Sequence, residues 1–180
     1  MPQNIIIGNI ISFSASFFLL WGSASEKVRR LYLFGVFECI LLFISQLFFG
    51  QGAAAVSLLI AAFRNYLLFI GKYRRSFFIL IFVSTAFFGL ALNTGGAVGL
   101  LPLFATLVYT YTSYSARGYV WVKLSLIFNL FLWSVYSVMI SDIGGAFVNI
   151  FSLALCLASL VKFYIRERQK REGKEEDRSL

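Results

Sequence analysis

The chain has 180 residues, of which 59% are hydrophobic, 18% aromatic and only 13% charged, whereas a soluble domain clothes its surface with roughly a quarter charged residues. That composition excludes a water-soluble globular domain, and the complete absence of His removes the commonest metal ligand and general base. The net charge of +8 does not indicate nucleic acid: the basic residues form short clusters between apolar blocks, as membrane topology requires, and no continuous basic face.

Seven apolar blocks follow in chain order, at about 5–22, 31–49, 53–71, 76–93, 97–114, 119–140 and 143–164, each long enough to cross a hydrocarbon core as a helix. No Lys or Arg precedes the first block, so it reads as a membrane helix and not as a cleaved signal peptide. The connections are short, which makes consecutive helices antiparallel neighbours. Alternate connections are basic: Lys27, Arg29 and Arg30, then Lys72, Arg74 and Arg75, then Arg117 with Lys123, and finally the tail from Arg166. The intervening Gly50–Gly52, Asn93–Gly96 and Ser141–Asp142 carry neither Lys nor Arg. All basic segments therefore fall on one face, which is expected to be cytoplasmic, with the N-terminus outside and the C-terminus inside. The mixed-charge tail is expected to continue the last helix for a turn or two and then fray. Cys39 and Cys156 lie within predicted helices and read as small buried apolar residues, not as a disulfide.

Sliding the chain against itself by 92 residues lays the first three spans on the last three without a gap, with roughly ten of about seventy positions identical. Ser23–Ala24 falls on Ser115–Ala116, Gly52–Ala54 on Gly144–Ala146, and Arg74 on Arg166. The fourth span has no partner. The expected organisation is an all-α membrane protein with a three-helix repeat at 5–75, a linker helix at 76–95, a second repeat at 96–166 and a charged tail at 167–180. Two like-oriented three-helix units can be joined only through one extra crossing.

Three helices, a linker and three more resemble the SWEET/MtN3 and PQ-loop superfamily, a parallel-repeat plan. More closely, "LLPLFATLVYTYTSYS" from Leu100, Trp133 in "NLFLWSVYSVM", the "DIGG" at Asp142 and Arg64 in "AAFRNYLLF" resemble the YgjV-type family of bacterial inner-membrane proteins. The resemblance implies an inner-membrane location. The wider superfamily implies transport of sugars and other small polar solutes by two triple-helix bundles rocking around a central pocket. Pro102 stands in the fifth span, but the prolines that SWEETs carry in the first, second and sixth spans are missing, and there is no Pro-Gln pair.

Several spans carry polar stripes. The seventh presents Asn149, Ser152, Cys156 and Ser159 on one face, and the sixth presents Ser125, Asn129, Trp133 and Tyr136. Thr106, Tyr109, Thr110 and Ser113 do the same on the fifth, and Asn9, Ser12 and Ser16 more weakly on the first. In lipid such stripes face protein or water. They serve either as helix–helix glue or as a solute pocket, in which an aromatic ring beside an amide suits a sugar. The pocket candidates are Asn149, Trp133, Asn129, Thr106 and Tyr109, with Ser57 added as the repeat mate of Asn149. By the SWEET resemblance, an asparagine on the third helix of a repeat belongs to the pocket, and Asn149 stands there.

Glu38 lies 13 residues before the hairpin turn at Gln51 and Arg64 lies 13 after it, so both sit about 20 Å from that end of the bundle. A buried Glu38–Arg64 ion pair is therefore expected, acting as a structural clamp, a gate, or part of an anionic-substrate site. The alternative is that Arg64 snorkels towards the interface near Lys72. Two function classes follow: a passive carrier of a small polar solute working by alternating access, and a non-transporting adaptor or assembly protein. No nucleophile–base pair, carboxylate pair, metal-ligand cluster or nucleotide-binding loop stands out, so no enzyme activity, metal or cofactor is expected. The expected partners are the lipid bilayer and an unidentified solute, not nucleic acid; a homo-oligomer is left open.

Overall fold

The computed structural model describes residues 3–115 and 118–176, with side chains as far as Gln169. Among the described residues seven helices follow one another: α1 (Gln3–Ala24), α2 (Val28–Phe48), α3 (Gly52–Phe69), α4 (Arg75–Ala91), α5 (Gly96–Ser115), α6 (Tyr119–Met139) and α7 (Ile143–Glu176). Six of them are long and apolar enough to cross a membrane, whereas α4 is a shorter apolar helix of 17 residues. The expectation of seven equivalent spans is coarser than this. At 1.5 Å per residue α4 reaches about 26 Å, short of a typical hydrocarbon core. The last helix overshoots the expected turn or two and reaches Glu176.

Six helices close into a ring in the order α1, α2, α3, α5, α6, α7 and back to α1, while α4 lies outside against α3 and α5. The ring is inverted relative to a soluble domain. Large apolar side chains such as Phe17, Trp21, Phe87, Trp121, Val138 and Phe147 point outward and exposed, whereas Gln46, Arg64, Thr110, Lys123, Asp142 and Ser152 are buried. Lipid accepts the first set, and only the protein interior can satisfy the second.

Lys123 corrects the reading of the basic connections. It is 1% exposed, and its Nζ donates to the carbonyl oxygen of Ser23 in the last turn of α1, where a cation meets unsatisfied helix carbonyls. It is an interior residue of α6 and contributes no charge to a connection. Arg117 lies outside the described residues.

A shift of 91 residues, not 92, lays the hairpin after α2 on the hairpin after α6. The hairpin after α2 and the hairpin after α6 are built alike. Gly50 and Ser141 have φ of +69° and +63°. Gln51 N–H donates to Gln46 O at 2.9 Å and Asp142 N–H to Ser137 O at 2.9 Å. The N–H groups of Ala55 and Ala146 donate to Gln51 O and Asp142 O, again both at 2.9 Å. Burial follows the same register: Leu31, Tyr32, Gly35, Cys39, Ser45 and Gln46 of α2 are buried, as are Val122, Lys123, Leu126, Leu130, Tyr136 and Ser137 of α6. A shift of one residue turns a helix by about 100°, so burial separates the registers where a handful of identities does not. The contacts agree: α1 with α2, α2 with α3 and α3 with α5 repeat as α5 with α6, α6 with α7 and α7 with α1.

Helices α1 and α7 meet at Gly144, whose N–H donates to Asn9 Oδ1 at 3.0 Å and whose missing Cβ would stand 3.1 Å from the Asn9 carbonyl oxygen. Gly144→Val is therefore expected to force the ring open there, at a cost of about 1–3 kcal/mol read by thermal unfolding in detergent. Gly52→Ala, where a Cβ meets nothing within 4 Å, should be neutral or stabilising. Equal losses in the two variants would refute the close approach.

Candidate functional site

A cavity of about 60 Å³ lies at the centre of the ring. All six ring helices line it and α4 does not: Leu19 and Ser23 come from α1, Gly35 and Glu38 from α2, Arg64 and Asn65 from α3, Thr106 and Tyr109 from α5, Asn129 and Trp133 from α6, and Asn149 from α7. A smaller cavity of about 10 Å³, room for about one water, shares Leu19, Glu38, Leu42, Trp133 and Asn149 with it. It extends towards Gln46, Ser137 and Asp142.

Arg64 is 3% exposed and rigidly held. Its Nη1 donates to Thr110 Oγ1 at 2.8 Å, and Nε and Nη2 donate to Asn65 Oδ1 at 3.3 and 3.1 Å. Its Cζ lies 4.6 Å from the centroid of the Tyr109 ring, a cation–π contact. Thr110 Oγ1 in turn donates to Thr106 O at 2.6 Å. Asn65 Nδ2 donates to Cys39 Sγ at 3.6 Å, and it fits because residue 35 is Gly: a Cβ there would stand 2.7 Å from Nδ2.

The expected Glu38–Arg64 ion pair is not made. The ion pairs among the described residues join Glu26 to Lys162 at 3.6 Å and to Arg166 at 2.5 Å. Depth placed both members on the same cavity, as the hairpin count predicts. Azimuth separated them: the guanidinium makes its contacts to Thr110 and Tyr109 on α5. Arg64 does not snorkel either, since its partners hold it in the bundle interior.

Seven of the eight candidate residues line the cavity, namely Asn149, Trp133, Asn129, Thr106, Tyr109, Glu38 and Arg64. Ser57 is buried but lines neither cavity. It was chosen as the mate of Asn149 at 92 residues; at 91 the mate is Leu58, which does line the cavity. Of the remaining stripe residues, Ser125, Tyr136, Ser152 and Ser159 are buried between helices, with Tyr136 Oη donating to Gln46 Oε1 at 3.3 Å. They read as packing. Sequence reasoning missed Asn65 and Gly35, although Asn65 adjoins Arg64 and Gly35 lies one turn before Glu38. It also passed over Asp142 as mere loop.

Asp142 is 1% exposed and fixes the turn between α6 and α7. Its Oδ1 accepts the Gly145 N–H at 2.8 Å and its Oδ2 the Ser12 hydroxyl at 3.1 Å. Burial pushes its carboxyl above the ordinary aspartate value of 3.8, only partly opposed by the bonds from Gly145 and Ser12. A raised folded pKa favours the protonated form. The resulting stability is complete below the ordinary value and is lost as pH rises through the folded one.

Three outcomes follow from these contacts. Thr110→Val removes an acceptor of a buried charge and should cost about 1.5–3 kcal/mol, whereas Ser152→Ala removes a buried hydroxyl with no partner and should cost nothing. Chemical unfolding in detergent compares the two, and similar losses would discount the Arg64 network. Asp142→Asn, which keeps a carbonyl acceptor for Gly145, should flatten the rise in melting temperature that the native protein shows on acidification from neutral pH. A native profile that is already flat would contradict that reading of Asp142.

No curated protein and no solved structure matches the chain. A family model described as bacterial inner membrane protein, Imp-YgjV, matches residues 6–167, which takes in α2 to α6, most of α1 and α7 and every residue lining the cavity. A multi-pass bundle with lipid-facing apolar side chains is what that description requires. The chain belongs to the YgjV family of bacterial inner-membrane proteins.

Proposed function

We propose that this protein is a passive carrier of a small polar solute, working by alternating access between two like-oriented three-helix repeats, α1–α3 and α5–α7, with α4 as linker. The observation that carries the reading is the central cavity, on which polar side chains converge and which is built from corresponding positions of both halves. At 91 residues Gly35, Glu38, Cys39 and Leu42 of α2 correspond to Leu126, Asn129, Leu130 and Trp133 of α6, and all eight line it. A cavity on the pseudo-twofold axis is where rocking of one half against the other would change access. The described basic residues Lys27, Arg29, Lys72 and Arg74 lie at one end, as do Lys162 and Arg166 through Glu26. This supports a cytoplasmic C-terminus and an external N-terminus.

At about 60 Å³ the cavity is far below the 300–1,000 Å³ or so of drug-sized ligand sites. A sugar would need the bundles to part; a solute of a few heavy atoms would not. The same small volume favours, as the second reading, a static adaptor whose polar interior serves helix packing.

The deciding experiment is uptake of labelled hexoses, pentoses, small amino acids and small organic acids into proteoliposomes, beside Asn149→Ala, which removes an amide lining both cavities. Saturable entry that the variant loses at least tenfold is expected. No entry of any solute through protein shown to be folded would give the adaptor reading precedence.

A further inference from the structure

We propose that the central cavity takes a small monoanion together with one proton, with Arg64 as its fixed positive charge and Glu38 as the group that accepts the proton. The inference deepens the carrier reading of this cavity and rests on it.

The charge balance of the cavity carries the inference. A guanidinium cannot be deprotonated in a protein, so Arg64 brings a permanent positive charge into a low-dielectric interior. Three of its five N–H groups are engaged by Thr110 and Asn65. No carboxylate lies within ion-pair distance of it among the described residues. Glu38, on the neighbouring helix α2, has neither a salt bridge nor a hydrogen bond among the described residues. The two opposite charges thus face one cavity without consuming each other. With Glu38 ionised the empty cavity is neutral. An anion entering it leaves a net negative charge unless Glu38 takes up a proton, and at this depth an uncompensated charge costs several kcal/mol. Anion and proton therefore bind together.

The remaining walls suit that ligand. Asn149 is 7% exposed and, like Asn129, lines the cavity with no protein hydrogen bond among the described residues, so two amide N–H₂ groups supplement the free guanidinium N–H groups as donors. The volume of about 60 Å³ corresponds to about four waters, the size of formate, nitrate or acetate. The titratable groups that face Glu38 are Arg64 of α3, Tyr109 of α5, Cys156 of α7 and its own neighbour Cys39. Helix α1 brings no titratable group to either cavity; Lys123 of α6 is turned to the Ser23 carbonyl. Asp142 lines the smaller cavity and is held by Gly145 and Ser12. Of the two described carboxyls that line the cavities, Glu38 is the one without such partners. Its mate at 91 residues is Asn129, so an amide already fills the corresponding position of the other half, and Glu38→Gln should fold.

The test is calorimetric titration of the full-length protein in nanodiscs with sodium formate, acetate and nitrate, repeated in two buffers of different ionisation enthalpy to count protons. It is run at about pH 6 and about pH 9.5, on either side of where deeply buried glutamates titrate. The native protein should take up close to one proton per anion at the higher pH, with affinity falling about tenfold per pH unit once Glu38 is ionised. Glu38→Gln should bind the anion at both pH values without proton uptake, and Arg64→Gln should lose binding. Arg64→Lys, which keeps the charge, should retain weakened binding with the proton still counted. No anion binding at either pH, binding without proton uptake, or uptake that persists in Glu38→Gln would each overturn the proposal. Uptake of the same anions into proteoliposomes separates the two levels: binding with a proton but no transport keeps this site and removes the carrier, while saturable sugar entry without anion binding keeps the carrier and removes this site.

Discussion

A permanent charge inside an apolar ring must be solvated by the protein itself, and Arg64 organises much of the interior on that condition. Its acceptors come from two helices, Thr110 on α5 and Asn65 on α3, and its flat face is covered by Tyr109. Helices α3 and α5 are the last of the first half and the first of the second, so the guanidinium bridges the seam between them. The residues around these contacts are placed by them. Thr110 is oriented by the Thr106 carbonyl, Asn65 leans on Cys39, and Gly35 leaves the space in which Asn65 lies. A single cation thereby constrains α2, α3 and α5. At the other seam, between α7 and α1, no such charge is used. Gly144 meets the Asn9 backbone, and Ser12 meets Asp142.

The helices were legible in the sequence because hydropathy is read from composition over long windows, and apart from the far end of α7 the edges fall within a few residues of the observed ones. The cavity was legible for a related reason. In lipid a polar stripe has nowhere to go but inward, so the faces bearing Asn129, Asn149, Thr106 and Glu38 could be assigned without coordinates. What failed were judgements that depend on azimuth. The Glu38–Arg64 pairing followed from depth alone, and depth does not say which neighbour a long side chain turns towards. Identities fixed the overlay at 92 residues because Gly52–Ala54 and Gly144–Ala146 happen to coincide. Small residues recur wherever helices begin close together, so that match reports packing and not register.

The register also explains the error at Ser57. One residue turns a helix by about 100°, enough to exchange a cavity position for its neighbour, and Leu58 is the residue that corresponds to Asn149. Lys123 failed for another reason. Counting a lysine near the end of an apolar block as a loop charge is sound on average, but α6 begins at Tyr119. One turn inside it, a flexible ammonium finds the terminal carbonyls of α1. Its counterpart at 91 residues is the buried Tyr32, so the two halves fill equivalent positions with groups of similar reach and different charge.

That exchange recurs around the cavity. Glu38 stands against Asn129, Leu42 against Trp133, and Leu58 against Asn149, all six lining one space. The frame is closely matched between the halves while the chemistry is not. The acid and the arginine belong to α2 and α3; two of the three amides and the tryptophan belong to α6 and α7. The lining is therefore asymmetric, with charge on the side of α2 and α3 and neutral donors and a ring on the side of α6 and α7. The two seams differ in the same way. Arg64 ties α3 to α5 with a buried cation, whereas α7 meets α1 through the Gly144–Asn9 and Ser12–Asp142 hydrogen bonds, with the exposed pairs of Glu26 to Lys162 and Arg166 at its end. A buried charge cannot leave its acceptors without a cost of several kcal/mol, so the first seam is the more tightly constrained of the two.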